Sequence, residues 1–179
     1  MRITNKFDLG TLEKIKALYE LSFPKSEKKP FALIEEKCRE GKMEINAILG
    51  CAGEFLGLAI FVLSGDIALL DYFAISPEAR GTGVGSSALK MLKNLHTGRR
   101  FMLEIEDDEN AGAENLADRI RRRKFYLRSG MVEMPYKVWL FGVDMKILTF
   151  GDFISFEEYH DIFVNVFSEK TARNVTLMA

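Results

Sequence analysis

The chain has 179 residues, 47% hydrophobic and 28% charged, which fits one folded domain with a full core and excludes a disordered or fibrous chain. A net charge of −1 argues against a general nucleic-acid binder. Two cysteines (Cys38, Cys51) and two histidines (His96, His160) are too few and too scattered for a metal cluster. No metal is therefore expected, and the thiols are expected to be reduced and packed.

The first residues, MRITNKFDLG, hold no apolar signal core, and no run reaches membrane-spanning length. A cytoplasmic location with no membrane partner is the expectation. Residues 1–7 predict a short strand. Leu12, Ile15, Leu18 and Tyr19 then recur at helical spacing up to Phe23-Pro24. The segment 25–30, KSEKKP, is polar and closed by proline, so it predicts a loop. A second helix follows over 31–40, stopped by Gly41.

MEINAILG and FLGLAIFVLS then predict two strands, with CAGE between them as a hairpin turn. Gly65-Asp66 turns into a third strand from Ile67. Such an antiparallel meander does not open a doubly wound nucleotide fold. A glycine-rich loop with Gly81, Gly83 and Gly85 precedes an apolar helical pattern over Val84–Leu95. Residues 101–106 alternate as a strand, with Glu104 and Glu106 on one side. This strand–helix–strand order predicts a parallel central pair. A polar loop over 107–114 leads to a helix of about fifteen residues that ends at Ser129-Gly130. Strands over 131–140 and Val143–Thr149 follow, and a helix from Ser155 that shows Phe156, Phe163 and Phe167 on adjoining faces.

The glycine loop offers main-chain N–H groups and the positive end of a helix dipole, which together suit a pyrophosphate. A P-loop requires Lys-Ser/Thr after its last glycine, and Ser86-Ser87 stand there instead. A dinucleotide loop fits better, since 83–88 reads G-x-G-x-x-A and Glu104 follows about twenty residues on. Against it, Ser76 to Arg80 separate the loop from its strand, and a meander precedes it rather than a βαβ unit.

A third reading rests on likeness. ISPEARGTGVGSSALKML resembles the acetyl-CoA signature of the GNAT acetyltransferase superfamily, R/Q-x-x-G-x-G/A after a strand ending in V-x-P-x-x. Phe125-Tyr126-Leu127-Arg128-Ser129-Gly130-Met131 resembles the family's (F/L)-Y-x-x-x-G-F, with Met131 for the usual phenylalanine. LEIEDDEN followed by RIRRRKFY looks like a bacterial subgroup whose substrates are undefined.

The resemblance implies an α/β (α+β) fold over about 1–150. Its sheet would be mixed, mostly antiparallel and of six or seven strands, with helices on both faces and the glycine loop after the fourth strand. Residues 151–179 would form a C-terminal helical extension that caps the domain or docks on a second copy, a homodimer being favoured. Acetyl-CoA would be the cosubstrate and a small-molecule or peptide amine the acceptor, with no nucleic acid. By the same resemblance Arg80, Gly81, Thr82, Gly83, Val84, Gly85 and Ser86 would hold the pyrophosphate. Phe73, Ala74 and Ile75 would pair with the pantetheine arm as a false strand.

Tyr126 would be the general acid, because a phenol near pKa of about 10 stays protonated beside a thiol near about 8.5. Asn115, Arg119, Arg122 and Tyr126 share a polar stripe, while Leu116, Ile120 and Leu127 share an apolar one. Glu104 is the favoured base, with Glu106, Asp71 or a water as alternatives. The run 119–124, RIRRRK, is expected to pair with Glu104, Glu106 or Asp107, or to meet solvent. The competing function is a non-catalytic acyl-CoA sensor.

Overall fold

A computed structural model describes residues 1–25, 27–109 and 112–178. Ser26, in the expected loop 25–30, and Asn110 and Ala111, in the expected loop 107–114, lie outside the described residues, as does Ala179. The strand order is β1-β2-β3-β4-β5-β7-β6-β8, and the pairs β1–β2, β2–β3, β5–β7, β6–β7 and β6–β8 are antiparallel. Eight strands thus replace the expected six or seven. The chain divides into two compact units, Met1–Leu63 with Leu70–Thr97, and Ser64–Leu69 with Gly98–Ala179.

In the first unit β1 (Arg2–Thr4) leads to helix α1 (Leu9–Ser22). The Asp8 carboxylate accepts from the Thr11 N–H at 2.7 Å and starts the helix. Ile15, Leu18 and Tyr19 turn inward, and Phe23, extended ahead of Pro24, ends it. Helix α2 (Phe31–Arg39) buries Ile34. Strands β2 (Met43–Leu49) and β3 (Phe55–Ser64) pair from Met43↔Val62 to Ala47↔Leu58, with a shift at Ile48/Leu49. Both are buried over most of their length, which suits the apolar run of β3, and β2 carries Glu44 and the buried Asn46 among its apolar residues. β4 (Ile67–Ile75), whose residues from Leu70 onward belong here, a 3-10 turn (Pro77–Ala79) and α3 (Val84–Leu95) complete the unit. Cys38 is half-buried, and burial pushes its thiol up to about 11. Cys51 is exposed at the β2–β3 turn, so the expectation of two packed thiols fails there. A turn residue has no core to enter.

In the second unit β5 (Arg100–Glu106) pairs with β7 (Val143–Thr149), and β7 with β6 (Val132–Leu140). The β6–β7 hairpin turns on Phe141 (φ 48°) and Gly142 (φ 93°), the double positive φ of a tight two-residue turn. Pro135, which cannot donate to a ladder, falls in the register shift between Glu133 and Lys137. Helix α4 (Leu116–Arg128) lies between β5 and β6 in sequence.

Helix α5 (Phe156–Val166) opens with a capping box in which Ser155 and Glu158 satisfy each other's backbone N–H. It buries Tyr159, Ile162, Phe163 and Val166, so Phe163 is not the exposed residue expected. The tail continues into α6 (Glu169–Ala172) and β8 (Val175–Leu177), which adds to β6. Four and three residues are too few to show a period, and β8 exists because β6 offers it an edge. Among the described residues no helix is long and apolar enough to cross a membrane.

Candidate active site

The glycine loop is built to leave main-chain donors uncovered. Gly81 (φ 76°) and Gly83 (φ 84°) take the left-handed conformation, and an added Cβ at either would meet nothing within 4 Å. Glycine is required there for the backbone angle and not for space. Gly83 is the N-cap of α3, and it has no side chain to accept from the first-turn N–H groups of Val84, Gly85 and Ser86. The first turn holds no acid. Residues 80–83, Ser86 and Ser87 are exposed. Thr82 donates its hydroxyl to the Ala79 carbonyl at 2.7 Å and ties the loop to the 3-10 turn.

The end of β4 carries the three residues assigned to the pantetheine arm. The Ser76 N–H donates to the Leu56 carbonyl of β3 at 2.9 Å, and the Ala74 carbonyl lies against Gly57 of β3. Successive residues of a strand present their N–H and C=O to opposite edges. The Ala74 carbonyl and the Ser76 N–H therefore lie toward β3 at the end of the strand. The Ile75 carbonyl accepts from Arg80 Nε at 3.0 Å, so Arg80 folds back on the strand it follows.

Beside this strand Asp71 holds Lys29, whose Nζ donates to both carboxylate oxygens at 2.9 Å. Lys29 Nζ also lies 5.3 Å from the centre of the Tyr72 ring. Around it stands a ring cluster in which Tyr72 meets Tyr19 at 4.8 Å and Phe23 at 4.9 Å.

In the second unit three residues of the stripe Asn115, Arg119, Arg122 and Tyr126 meet the Glu106 carboxylate. Arg119 and Arg122 pair with Glu106 at 2.7 and 3.0 Å, and Asn115 Nδ2 donates to the same carboxylate at 3.1 Å. Tyr126 is the buried residue of α4, while Leu127 is 36% exposed. Leu116 and Ile120 of the apolar stripe are half-buried, and the buried Glu106 carboxylate is matched by the two guanidiniums. Arg123 pairs with Glu133 and Asp108, and Arg121 with Asp118 on the surface.

The family-like tyrosine motif has a mechanical reason. The Met131 N–H donates to the Tyr126 carbonyl at 3.2 Å, and the Gly130 N–H to the Leu127 carbonyl at 3.0 Å. These are the two bonds of a Schellman stop, and buried Met131 anchors it. The motif thereby fixes the turn that carries Tyr126. Burial pushes the Tyr126 hydroxyl up to about 12, with Arg122 pulling the other way.

Glu104 accepts a hydrogen bond from the Tyr159 hydroxyl at 2.6 Å. Sequence reasoning missed Tyr159, since an aromatic at helical spacing reads as packing, and nothing local ties α5 to β5. Glu106, an alternative base, is committed to two arginines and an asparagine.

Lys146 is buried and lies 3.3, 2.8 and 3.1 Å from Asp107, Asp108 and Glu109. Burial alone would raise Asp107 and Asp108, but the ammonium partners outweigh it and hold both carboxyls below their usual value. Depressed carboxyls stabilise the fold above the unfolded pKa of about 3.9 and lose that contribution as pH falls through the folded values. Urea unfolding at pH 7 and at pH 3 should show a lower midpoint in acid, and the K146M variant a smaller difference between the two. Among the described residues no group of three or more His, Cys, Asp or Glu could hold a metal ion.

With this geometry in hand, the comparisons are specific. The acetyltransferase (GNAT) family matches residues 12–121, and the chain belongs to that family. A solved structure from Bacteroides thetaiotaomicron, assigned to GNAT-family acetyltransferases, superposes with a TM-score of 0.75 at 20% identity. That match covers 94% of this chain and 99% of that one. Spermidine N-acetyltransferase from Vibrio cholerae, solved with CoA and spermine, superposes with a TM-score of 0.63 at 13% identity, over 83% and 93% of the two chains. An aminoglycoside 6'-N-acetyltransferase solved with coenzyme A gives 0.64 at 15%, over 87% and 100%. Comparison with curated proteins gives no match.

Proposed function

We propose that this chain transfers an acetyl group from acetyl-CoA to a primary amine by direct attack in a ternary complex. The observation that carries the reading is the start of α3, where a glycine cap leaves first-turn N–H groups open to an anion. Two CoA-bound structural neighbours support the choice of coenzyme. The phosphates would sit on 81–86, and Arg80 would leave the Ile75 carbonyl to meet them. The pantetheine amides would pair with the main chain of Phe73, Ala74 and Ile75 at the end of β4.

Tyr126 would protonate the leaving thiolate. Glu104, oriented by Tyr159, would take the proton of the incoming amine directly or through water. Glu104→Gln should lower kcat/KM by about a hundredfold and remove the acidic limb of the pH–rate profile. An unchanged profile assigns the base elsewhere.

The function itself is tested by free thiol released from acetyl-CoA across polyamines, amino acids, aminoglycosides and peptides. Acceptor-dependent release supports an N-acetyltransferase. Tight coenzyme binding with no acceptor-dependent release would instead support a sensor of the coenzyme.

A further inference from the structure

Gly57 stands buried inside β3, where a glycine weakens the strand and offers no side chain to pack. Its backbone angle does not call for glycine, since its φ lies outside the positive range that Gly81 and Gly83 occupy. The constraint is space. An added Cβ would stand 2.4 Å from the Ala74 carbonyl oxygen, 3.1 Å from Ile75 Cδ1 and 3.2 Å from Ile75 Cα. The nearest of these atoms is main chain, so it cannot swing aside as the tip of a side chain would.

Side chains of a strand stand roughly perpendicular to the sheet, so a neighbouring main chain does not ordinarily meet them. The Ala74 carbonyl does, and the end of β4 therefore lies on the side of β3 that a Gly57 side chain would take. β3 is shaped for this. Its register with β2 passes from Ile48↔Gly57 to Leu49↔Phe55, which leaves Leu56 as an extra residue, and a bulge of this kind bends its strand. The Leu56 carbonyl then accepts from the Ser76 N–H at 2.9 Å, just past the contact with Gly57. Arg80 Nε holds the Ile75 carbonyl at 3.0 Å. The stretch Phe73–Ile75 thus settles against a bare α-carbon.

We propose that Gly57 is a positioning residue for the pantetheine arm: its missing side chain sets where the main chain of Phe73, Ala74 and Ile75 lies. This rests on the coenzyme reading of the same strand end. An extended ligand pairs with a main chain only where donors and acceptors stand at hydrogen-bonding distance and angle. A Cβ at Gly57 must move the Ala74 carbonyl, and the amides on either side move with it. The glycine cap of α3 keeps its own conformation, which depends on Gly81 and Gly83. A side chain at Gly57 therefore costs the arm its partners and leaves the phosphates theirs.

The test is calorimetric titration of the wild-type and Gly57→Ala chains with coenzyme A, dephospho-coenzyme A and ADP. Dephospho-coenzyme A is ADP carrying the pantetheine arm, so the ratio of those two affinities reads the arm alone. The wild-type chain should favour dephospho-coenzyme A over ADP by at least about tenfold, the worth of two or so main-chain hydrogen bonds. Gly57→Ala should lose about tenfold in affinity for dephospho-coenzyme A, as overpacking by one methyl displaces the strand end, and should keep its affinity for ADP within about twofold. Retained ADP binding also shows that the variant is folded. An unchanged ratio, whether both affinities are kept or both fall together, would overturn the proposal and leave the coenzyme reading intact, as would a wild-type chain with no preference for the arm. If Gly57→Ala does not fold, the wild-type chain decides alone. In its assigned amide spectrum Gly57 should shift with dephospho-coenzyme A and not with ADP, and a Gly57 signal indifferent to the arm would overturn the proposal. Failure of the wild-type chain to bind coenzyme A at all would remove both readings.

Discussion

Tyr126→Phe is expected to lower turnover at saturating acetyl-CoA by about tenfold to a hundredfold. Loss of a general acid costs about 10²–10⁴ in typical cases. The lower end applies because a thiol of pKa about 8.5 yields a thiolate that leaves without much help. The hydroxyl should remain protonated throughout any practical assay, since burial pushes it up to about 12. The wild-type rate should therefore show no loss from Tyr126 ionisation below about pH 11, whereas an unperturbed tyrosine would titrate near about 10. The ring of the variant still fills its place above the Schellman stop, so coenzyme affinity and thermal stability should change little. Unchanged turnover in Tyr126→Phe would remove the residue from the mechanism.

Gly83→Val is expected to weaken coenzyme A binding by about tenfold or more while leaving the core intact. The Gly83 φ of 84° is one that a β-branched residue adopts only at a cost of about 1–3 kcal/mol. No atom lies within 4 Å of the added Cβ, so the damage is confined to the backbone of the cap. If the first turn of α3 tilts to relieve the strain, its N–H groups no longer converge. Isothermal calorimetry with coenzyme A on both proteins reads the effect directly. Equal affinity would show that the phosphates are held somewhere else.

What could be read in advance follows from where each determinant lies. β3, β4, α3 and β7 were legible to within a residue, because alternation, the Gly loop and the Phe141-Gly142 turn are local signals. The α3 cap was legible for the same reason, since Gly81 and Gly83 act on their own backbone. The packing of α4 was legible only in part. The pairing of Arg119 and Arg122 with Glu106 of β5 was among the expectations, but the burial of Tyr126 on the polar stripe was not. The likeness in Tyr126–Met131 located the tyrosine, and only the hydrogen bonds of Gly130 and Met131 show why that spacing is needed.

The partners of the acids were hidden in a similar way. Glu104 meets Tyr159 across 55 positions, and Asp71 meets Lys29 across 42, distances over which sequence carries no local signal.

The central claim is that the glycine cap of α3 receives the phosphates of coenzyme A. Titration of the wild-type chain with coenzyme A by calorimetry tests it most directly, with dephospho-coenzyme A and pantetheine as shortened ligands. The account predicts saturable one-to-one binding with a Kd of roughly micromolar magnitude. Dephospho-coenzyme A, which keeps the pyrophosphate, should retain most of the affinity, and pantetheine, which lacks it, should lose at least about a hundredfold. Equal affinity for coenzyme A and pantetheine, or no saturable binding of coenzyme A, would contradict it.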